Sequence, residues 1–154
     1  LDSLLIKKEI GFHHFGRTDR LPKKLLARIQ ELESKTKKFT SKSFNLALDY
    51  GGRDEIIRAI NTLLKENKNS ITEKDFSEYL DTRSVPDPDL IIRTAGEKRL
   101  SGLMPWQSTY AEYYFSDVSF PEFTLSELQK AITDFQSRKR TFGGDIDINN
   151  KNRD

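Results

Sequence analysis

The chain predicts an α/β fold, an open, mostly parallel sheet flanked by helices, on three observations. Short runs with alternating apolar residues take turns with longer runs whose apolar residues recur at helical spacing. The resulting order is strand, helix, strand, helix, helix, strand, strand, helix, and alternation of this kind favours a parallel sheet with crossover helices. One short run, Asp89-Leu90-Ile91-Ile92-Arg93, is almost continuously apolar, the pattern of a strand covered on both faces.

Leu1-Asp-Ser-Leu-Leu5 reads as the end of a helix whose beginning is expected upstream. Lys8 to Phe15 alternates, with Ile10 and Phe12 on one face, and predicts the first strand. Gly16 to Asp19 forms a turn. Pro22 suits a first helical turn, where its missing N–H does no harm, and Leu25, Leu26, Ile29 and Leu32 follow at helical spacing. Ser43 to Asp49 alternates again, with Phe44, Leu46 and Leu48 on one face. After Gly51-Gly52, residues Ile56, Ile57, Ile60, Leu63 and Leu64 predict a second amphipathic helix, with Asp54 and Glu55 in its first turn to complement the helix dipole. Thr72 caps a short helix carrying Phe76, Tyr79 and Leu80. Leu103 to Tyr110 is expected to be a short helix and Glu112 to Phe115 the last strand. Thr124 and Glu127 make a capping-box pattern for the final helix, lined by Leu125, Leu128, Ile132 and Phe135 and ended by Gly143-Gly144. Residues 1–144 are expected to belong to one domain, and 145–154 to be a disordered tail.

Composition excludes several function classes. With 26 basic and 24 acidic side chains, the net charge is +2, too small for nucleic-acid binding by bulk charge. The chain has no cysteine, so disulfides, thiolate metal sites and cysteine nucleophiles are ruled out, in keeping with a cytoplasmic location. No apolar run reaches the roughly 20 residues that span a bilayer. His13 and His14 are neighbours in a strand and are expected to face opposite ways. Tyr50-Gly51-Gly52-Arg53 lacks the glycine spacing and the lysine of a P-loop and reads as a structural turn.

In open α/β sheets, ligands bind beyond the carboxyl ends of the strands. The most heavily functionalised strand end here is Arg93-Thr94-Ala95-Gly96-Glu97-Lys98-Arg99-Leu100-Ser101. Arginine presents a planar fork of donors matched to phosphate oxygens. Ser101 adds a hydroxyl, and the main-chain N–H of Leu100 or Ser101 adds another donor. Each charge-assisted hydrogen bond contributes about 1.5–3 kcal/mol, so three or four suffice to fix a small diphosphate. A solvated loop with weak ion pairs has the same composition. Glu112 follows, beside Tyr110, Tyr113, Tyr114 and Phe115. A carboxylate near a diphosphate calls for an intervening cation, and magnesium takes such a ligand set.

The run Asp89 to Ser101, continuing through Trp106-Gln107, Tyr110, Glu112 and Phe115, resembles the C-terminal signature of the cis-prenyltransferases, a family that includes undecaprenyl diphosphate synthase. Asn45-x-Ala47-x-x-Tyr50-Gly51-Gly52-Arg53 is similar to the family's central strand and turn, Gly16 to Leu21 to its first strand-to-helix turn, and Phe142-Gly143-Gly144 to its C-terminal end. The resemblance implies a homodimer and the condensation of isopentenyl diphosphate onto an allylic diphosphate, such as farnesyl diphosphate, to give a Z-polyprenyl diphosphate. It implies that Arg93, Arg99, Leu100 and Ser101 hold the isopentenyl diphosphate head and that Glu112 helps to bind Mg2+. It assigns Trp106 and Tyr110 to packing.

Two features depart from the family pattern. Gly102 stands where asparagine is common, and Pro105 interrupts an otherwise apolar stretch. The family's Asp-Gly-Asn motif, with its essential aspartate, is absent from the sequence. The chain is therefore expected to be the C-terminal portion of the family domain, carrying one substrate half-site and inactive by itself. The alternative is a non-catalytic accessory subunit, against which the retained diphosphate ligands argue. A lipid product implies peripheral membrane contact, and no nucleic acid is expected.

Overall fold

The structure, a computed structural model, describes residues 1–68 and 70–139. Its elements are α1 (Asp2–Lys7), β1 (Gly11–Phe15), α2 (Lys23–Thr36), β2 (Ser43–Ala47), α3 (Gly52–Lys65), α4 (Glu73–Ser77), β3 (Leu90–Arg93), β4 (Glu112–Phe115) and α5 (Leu125–Ser137), with a 3₁₀ turn at Phe120–Glu122. β1 pairs with β2 and β3 with β4, both in parallel, as the alternation of strands and helices predicts. The chain divides into two compact units. The first comprises Leu1–Asp87 and Ser101–Trp106, and the second Pro88–Leu100 and the chain from Gln107 onward.

In the first unit, Phe12 of β1, Ile29 and Leu32 of α2 and Leu5 of α1 form one buried cluster. Leu25, expected on the same face, is exposed, because the buried stripe of α2 runs through Ile29, Leu32 and Thr36 instead. The outer edge of β1 is closed by side chains rather than by another strand. The N–H groups of Phe12, His14 and Gly16 donate to Thr36 Oγ1 (3.0 Å), Glu33 Oε1 (3.0 Å) and Asp81 Oδ2 (2.9 Å). Acceptors at alternate positions satisfy the edge donors that would otherwise invite another chain.

β2 corrects an expectation. It pairs with β1 along its whole length, yet every residue from Ser43 to Ala47 is exposed. Phe44 stacks on Phe12 at 6.1 Å but remains 43% exposed. Of the predicted face only Leu48 is partly buried against the first cluster. α3 is directed to a second cluster, where Ala59 and Leu63 meet Phe76 and Leu80, with Ile56, Tyr79 and Trp106 packed against them. Its buried stripe therefore runs through Gly52, Glu55, Ala59 and Leu63, leaving Ile57, Ile60 and Leu64 exposed. The predicted cap of α4 is present in full: Thr72 Oγ1 accepts from the Asp75 N–H, and the Asp75 carboxylate accepts from the Thr72 N–H.

Of the residues of β3, in the second unit, only Ile91 is buried, so the strand is covered less completely than its apolar run implied. Leu103 to Tyr110 is a series of turns, not a helix. Glycine and proline at 102 and 105 interrupt helical hydrogen bonding there. At the start of α5, Thr124 accepts from the Glu127 N–H at 3.5 Å. The helix ends at Ser137, before the glycines expected to stop it. Gly143-Gly144 and the tail from 145 lie outside the described residues. No helix among the described residues is long and apolar enough to cross a membrane.

Candidate functional site

The second unit positions Arg93 as the last residue of β3, opposite Phe115 of β4. The backbone beyond it stays tied to the chain after β4. The Ser116 N–H donates to the Arg93 carbonyl (2.8 Å), Ala95 N–H to the Val118 carbonyl (2.8 Å) and Gly96 N–H to the Ser116 carbonyl (2.9 Å). The Arg93 side chain is half-buried and has no ion-pair partner among the described residues. Arg99 lies further along the loop, 63% exposed at its side chain, and is paired with Glu97. An incoming anion therefore has to compete with the Glu97 carboxylate for this guanidinium. Leu100, half-buried, closes the unit's share of the loop.

Ser101 belongs to the first unit and is exposed. It opens a segment with unusual backbone geometry: φ is 51° at Ser101, 82° at Gly102 and 47° at Met104. Ala95 and Gly96, on the other side of the arginine, have φ of 64° and 68°. Left-handed conformations cost energy for residues with a Cβ and persist where surrounding contacts enforce them, commonly at ligand sites. The sequence from Arg93 to Ser101 thus carries two arginines, the Ser101 hydroxyl and three residues of left-handed main chain. That combination is chemically suited to an oxyanion-bearing ligand.

Glu112 is placed differently. It pairs with Leu90 at the start of β3, so it lies about 10 Å further back along the ladder than Arg93, at roughly 3.3 Å per residue. Its Oε2 accepts from Arg138 Nη1 at 2.8 Å. Arg138 also donates to the Tyr113 carbonyl (3.0 Å) and to Asp134 Oδ2 (2.5 Å). The Glu112 and Asp134 side chains hold the Arg138 guanidinium in its charged form. Glu112 is therefore neutralised by an arginine within its own unit, and the described residues contain no group of three or more histidine, aspartate or glutamate side chains able to hold a cation. These residues alone do not fit a magnesium centre.

Sequence reasoning missed a polar network in the first unit. Arg58 forks onto Asp81 with bonds of 2.9 and 2.7 Å and also donates to Asp54 (2.8 Å). Glu55, 1% exposed, accepts from the Asp81 N–H (2.8 Å) and from the Tyr50 hydroxyl (2.6 Å). Burial, then the Glu55 carboxylate, pushes the Tyr50 phenol above its ordinary range, so it remains a donor. A cleft of about 460 Å³ beside β1 is bordered by His13, His14, Glu33, Arg58, Asp81 and Arg83, none of them a predicted site residue. The cue available in the sequence was the charge density of Asp54-Glu55 and Arg58, read there as helix-dipole complementation.

The described architecture is a parallel α/β fold with a cation-bearing loop after the carboxyl end of a strand, the class of α/β domains flanked by helices. Within that class the chain belongs to the family described as "Putative undecaprenyl diphosphate synthase", whose model matches residues 2–143. It is 48% identical over 143 residues to an isoprenyl transferase of Aquifex pyrophilus, covering 93% of this chain and 62% of that protein. It is 44% identical over 140 residues to an isoprenyl transferase of Fusobacterium nucleatum, covering 91% and 60% respectively. Its fold matches lavandulyl diphosphate synthase from Lavandula x intermedia, solved with dimethylallyl diphosphate, at a TM-score of 0.85 and 33% identity, over 92% of this chain and 64% of that one. The chain thus spans about three fifths of the length of these curated relatives.

Proposed function

We propose that this chain is the C-terminal part of a cis-prenyltransferase and carries its isopentenyl-diphosphate half-site. One observation carries the reading: a signature from Arg93 to Phe115, departing from the family pattern at Gly102 and Pro105, whose first residues sit at the carboxyl end of a parallel strand and run into a loop of left-handed backbone. In the proposed reaction the allylic C–O bond breaks and diphosphate departs. The double bond of isopentenyl diphosphate attacks the allylic carbon, and loss of a proton leaves a new Z double bond. Arg93 and Arg99 bind the isopentenyl diphosphate head by charge, and the Leu100 or Ser101 N–H and the Ser101 hydroxyl orient it. Such fixed donors act by positioning the reactant and stabilising charge.

The allylic diphosphate, farnesyl diphosphate or a shorter homologue, the ionising machinery and the second copy of a homodimer complete the reading. The dimethylallyl diphosphate held by the lavender enzyme supports an allylic partner of this chemistry. Magnesium enters only with donors from beyond these residues, from substrate phosphates and a further carboxylate, and only if Glu112 exchanges Arg138 for the cation. For that reason the residues are proposed to bind one substrate but not to turn it over by themselves, as residues 1–144 of one larger catalytic domain. Peripheral contact with a membrane follows from a lipid product.

Calorimetric titration with isopentenyl diphosphate tests the site. Arg93→Ala and Arg99→Ala are each expected to weaken binding by about 1.5–3 kcal/mol. Parent-like binding by both variants overturns the assignment.

A further inference from the structure

The first unit carries a cluster of cations that the proposed half-site does not use. β1 and β2 run in parallel with Gly11 opposite Ser43, so the segments leading into them meet at one pole of the unit. Those segments are Lys7 to Ile10, at the end of α1, and Lys37 to Lys42, after α2. Both converge on Gly11. Its N–H donates to the Lys42 carbonyl at 2.9 Å, and a Cβ there would stand 2.5 Å from the Phe39 carbonyl. Lys7, Lys8, Lys37, Lys38 and Lys42 are all exposed, and Glu9 is the one acidic residue in the two segments. Carboxylates of the flanking helices are already engaged, Asp2 and Glu31 by Arg28 and Lys35 and Glu33 by the His14 N–H. None of the five lysines forms an ion pair among the described residues.

Helix dipoles account for part of this cluster. Cations in the last turn of a helix offset its partial negative charge, and the effect fades beyond that turn. That serves Lys7, Lys8 and Lys37, but not Lys42, which leads into a strand. Apolar surface is set among the same cations. A cavity of about 500 Å³ is lined by Phe12, Phe39, Val85 and Pro86 together with Lys37 and Lys42. Lys38 Nζ stands 5.2 Å from the centre of the Phe39 ring. Lysines alone would serve a small free anion. The apolar lining favours a partner that brings hydrocarbon along with its negative charge.

We propose that this pole of the first unit docks on the surface of an anionic lipid bilayer. The inference rests on the peripheral membrane contact read above and assigns that contact a face. It is independent of Arg93, Arg99 and Ser101.

The test is cosedimentation of the full chain with vesicles of phosphatidylcholine alone or with about one third phosphatidylglycerol. Binding is expected only to the anionic vesicles and should weaken as salt is raised, because screening shortens the reach of the charges. Each lysine at such a surface contributes about fivefold in affinity, so Lys37→Gln/Lys38→Gln is expected to weaken binding about twentyfold to thirtyfold. The charge-matched control is Lys23→Gln/Lys24→Gln, at the other end of α2, which is expected to bind within about twofold of the parent. Equal losses in the two double variants overturn the assigned face and leave membrane contact standing. No binding of the parent to anionic vesicles overturns both. Displacement of the protein from the vesicles by a short single-stranded RNA at equal phosphate concentration overturns the choice of lipid. The isopentenyl diphosphate titration reads the half-site separately, and all these variants are expected to match the parent in it.

Discussion

Thr94 to Leu100 and Ser101 to Trp106 adjoin in sequence but are secured by different means. The first stretch leans on the main chain after β4, through bonds from the Ala95 and Gly96 N–H groups to the Val118 and Ser116 carbonyls. The second has one main-chain bond, from the Gly52 N–H to the Gly102 carbonyl, and otherwise leans on side chains of other elements, with Trp106 packed on Phe76 and bonded to Ser77. Main-chain anchoring tolerates side-chain replacement, since each residue brings the same N–H and C=O. Side-chain anchoring makes geometry depend on particular residues far away in sequence. The arginine half of the proposed site should therefore resist substitutions around it, and the serine half should not.

That contrast can be broken at graded points. The largest effect is expected from Glu55→Ala, which strands the Tyr50 hydroxyl and the Asp81 N–H in the interior. At about 1–3 kcal/mol for each unsatisfied group, the loss should reach about 3 kcal/mol or more in urea denaturation. A loss below about 1 kcal/mol would show that the carboxylate is not a structural hub. Gly52→Ala comes next, because its Cβ meets the Pro105 ring and the Gly102 carbonyl rather than a flexible side-chain tip. Overpacking of this kind costs about 1–3 kcal/mol, visible as a shift in the denaturation midpoint.

On the arginine side, Gly96→Ala is expected to be milder. The nearest atom to the new Cβ, Asp117 Oδ1, is 3.5 Å away, so only the left-handed φ of 68° opposes it. The cost should stay near 1–2 kcal/mol, with the bonds to the Ser116 and Val118 carbonyls intact by amide exchange.

The smallest effect concerns pH. Hydrogen bonding to Arg58, against a smaller opposing effect of burial, holds the Asp54 carboxyl below its ordinary value of 3.8. A depressed folded-state value contributes stability above pH 3.8 that is lost as pH falls through that lower value. Melting temperature should decline below about pH 4, and Asp54→Asn should flatten that decline. An unchanged acid limb in the variant would remove Asp54 from the account.

Much of the fold was legible because it depends on local pattern. The Thr72 cap of α4, the starts of α2 and α3, and the strand at Glu112 to Phe115 all stand where capping chemistry and periodicity put them. The misreadings share one cause. Alternation in β2 and the apolar run in β3 say which residues share a face, but not whether anything covers that face. The same holds for α3, whose five aliphatic positions are divided between the Phe76–Leu80 cluster and the surface. The signature residues of the site were legible as a linear motif. Their partners were not, because Glu97 on Arg99, Arg138 on Glu112 and Ser77 on Trp106 are matters of approach in space.

The sequence by itself determined the α/β class, the positions of nearly all elements and the linear set of anion-binding residues, because periodicity, capping and residue chemistry act over a few neighbouring positions. Only the tertiary structure decided that Glu112 is claimed by Arg138, that β2 is uncovered and that a buried glutamate fixes the Asp81 main chain. Those outcomes depend on which surfaces meet, and that is set by contacts between residues 26 or more apart in the chain.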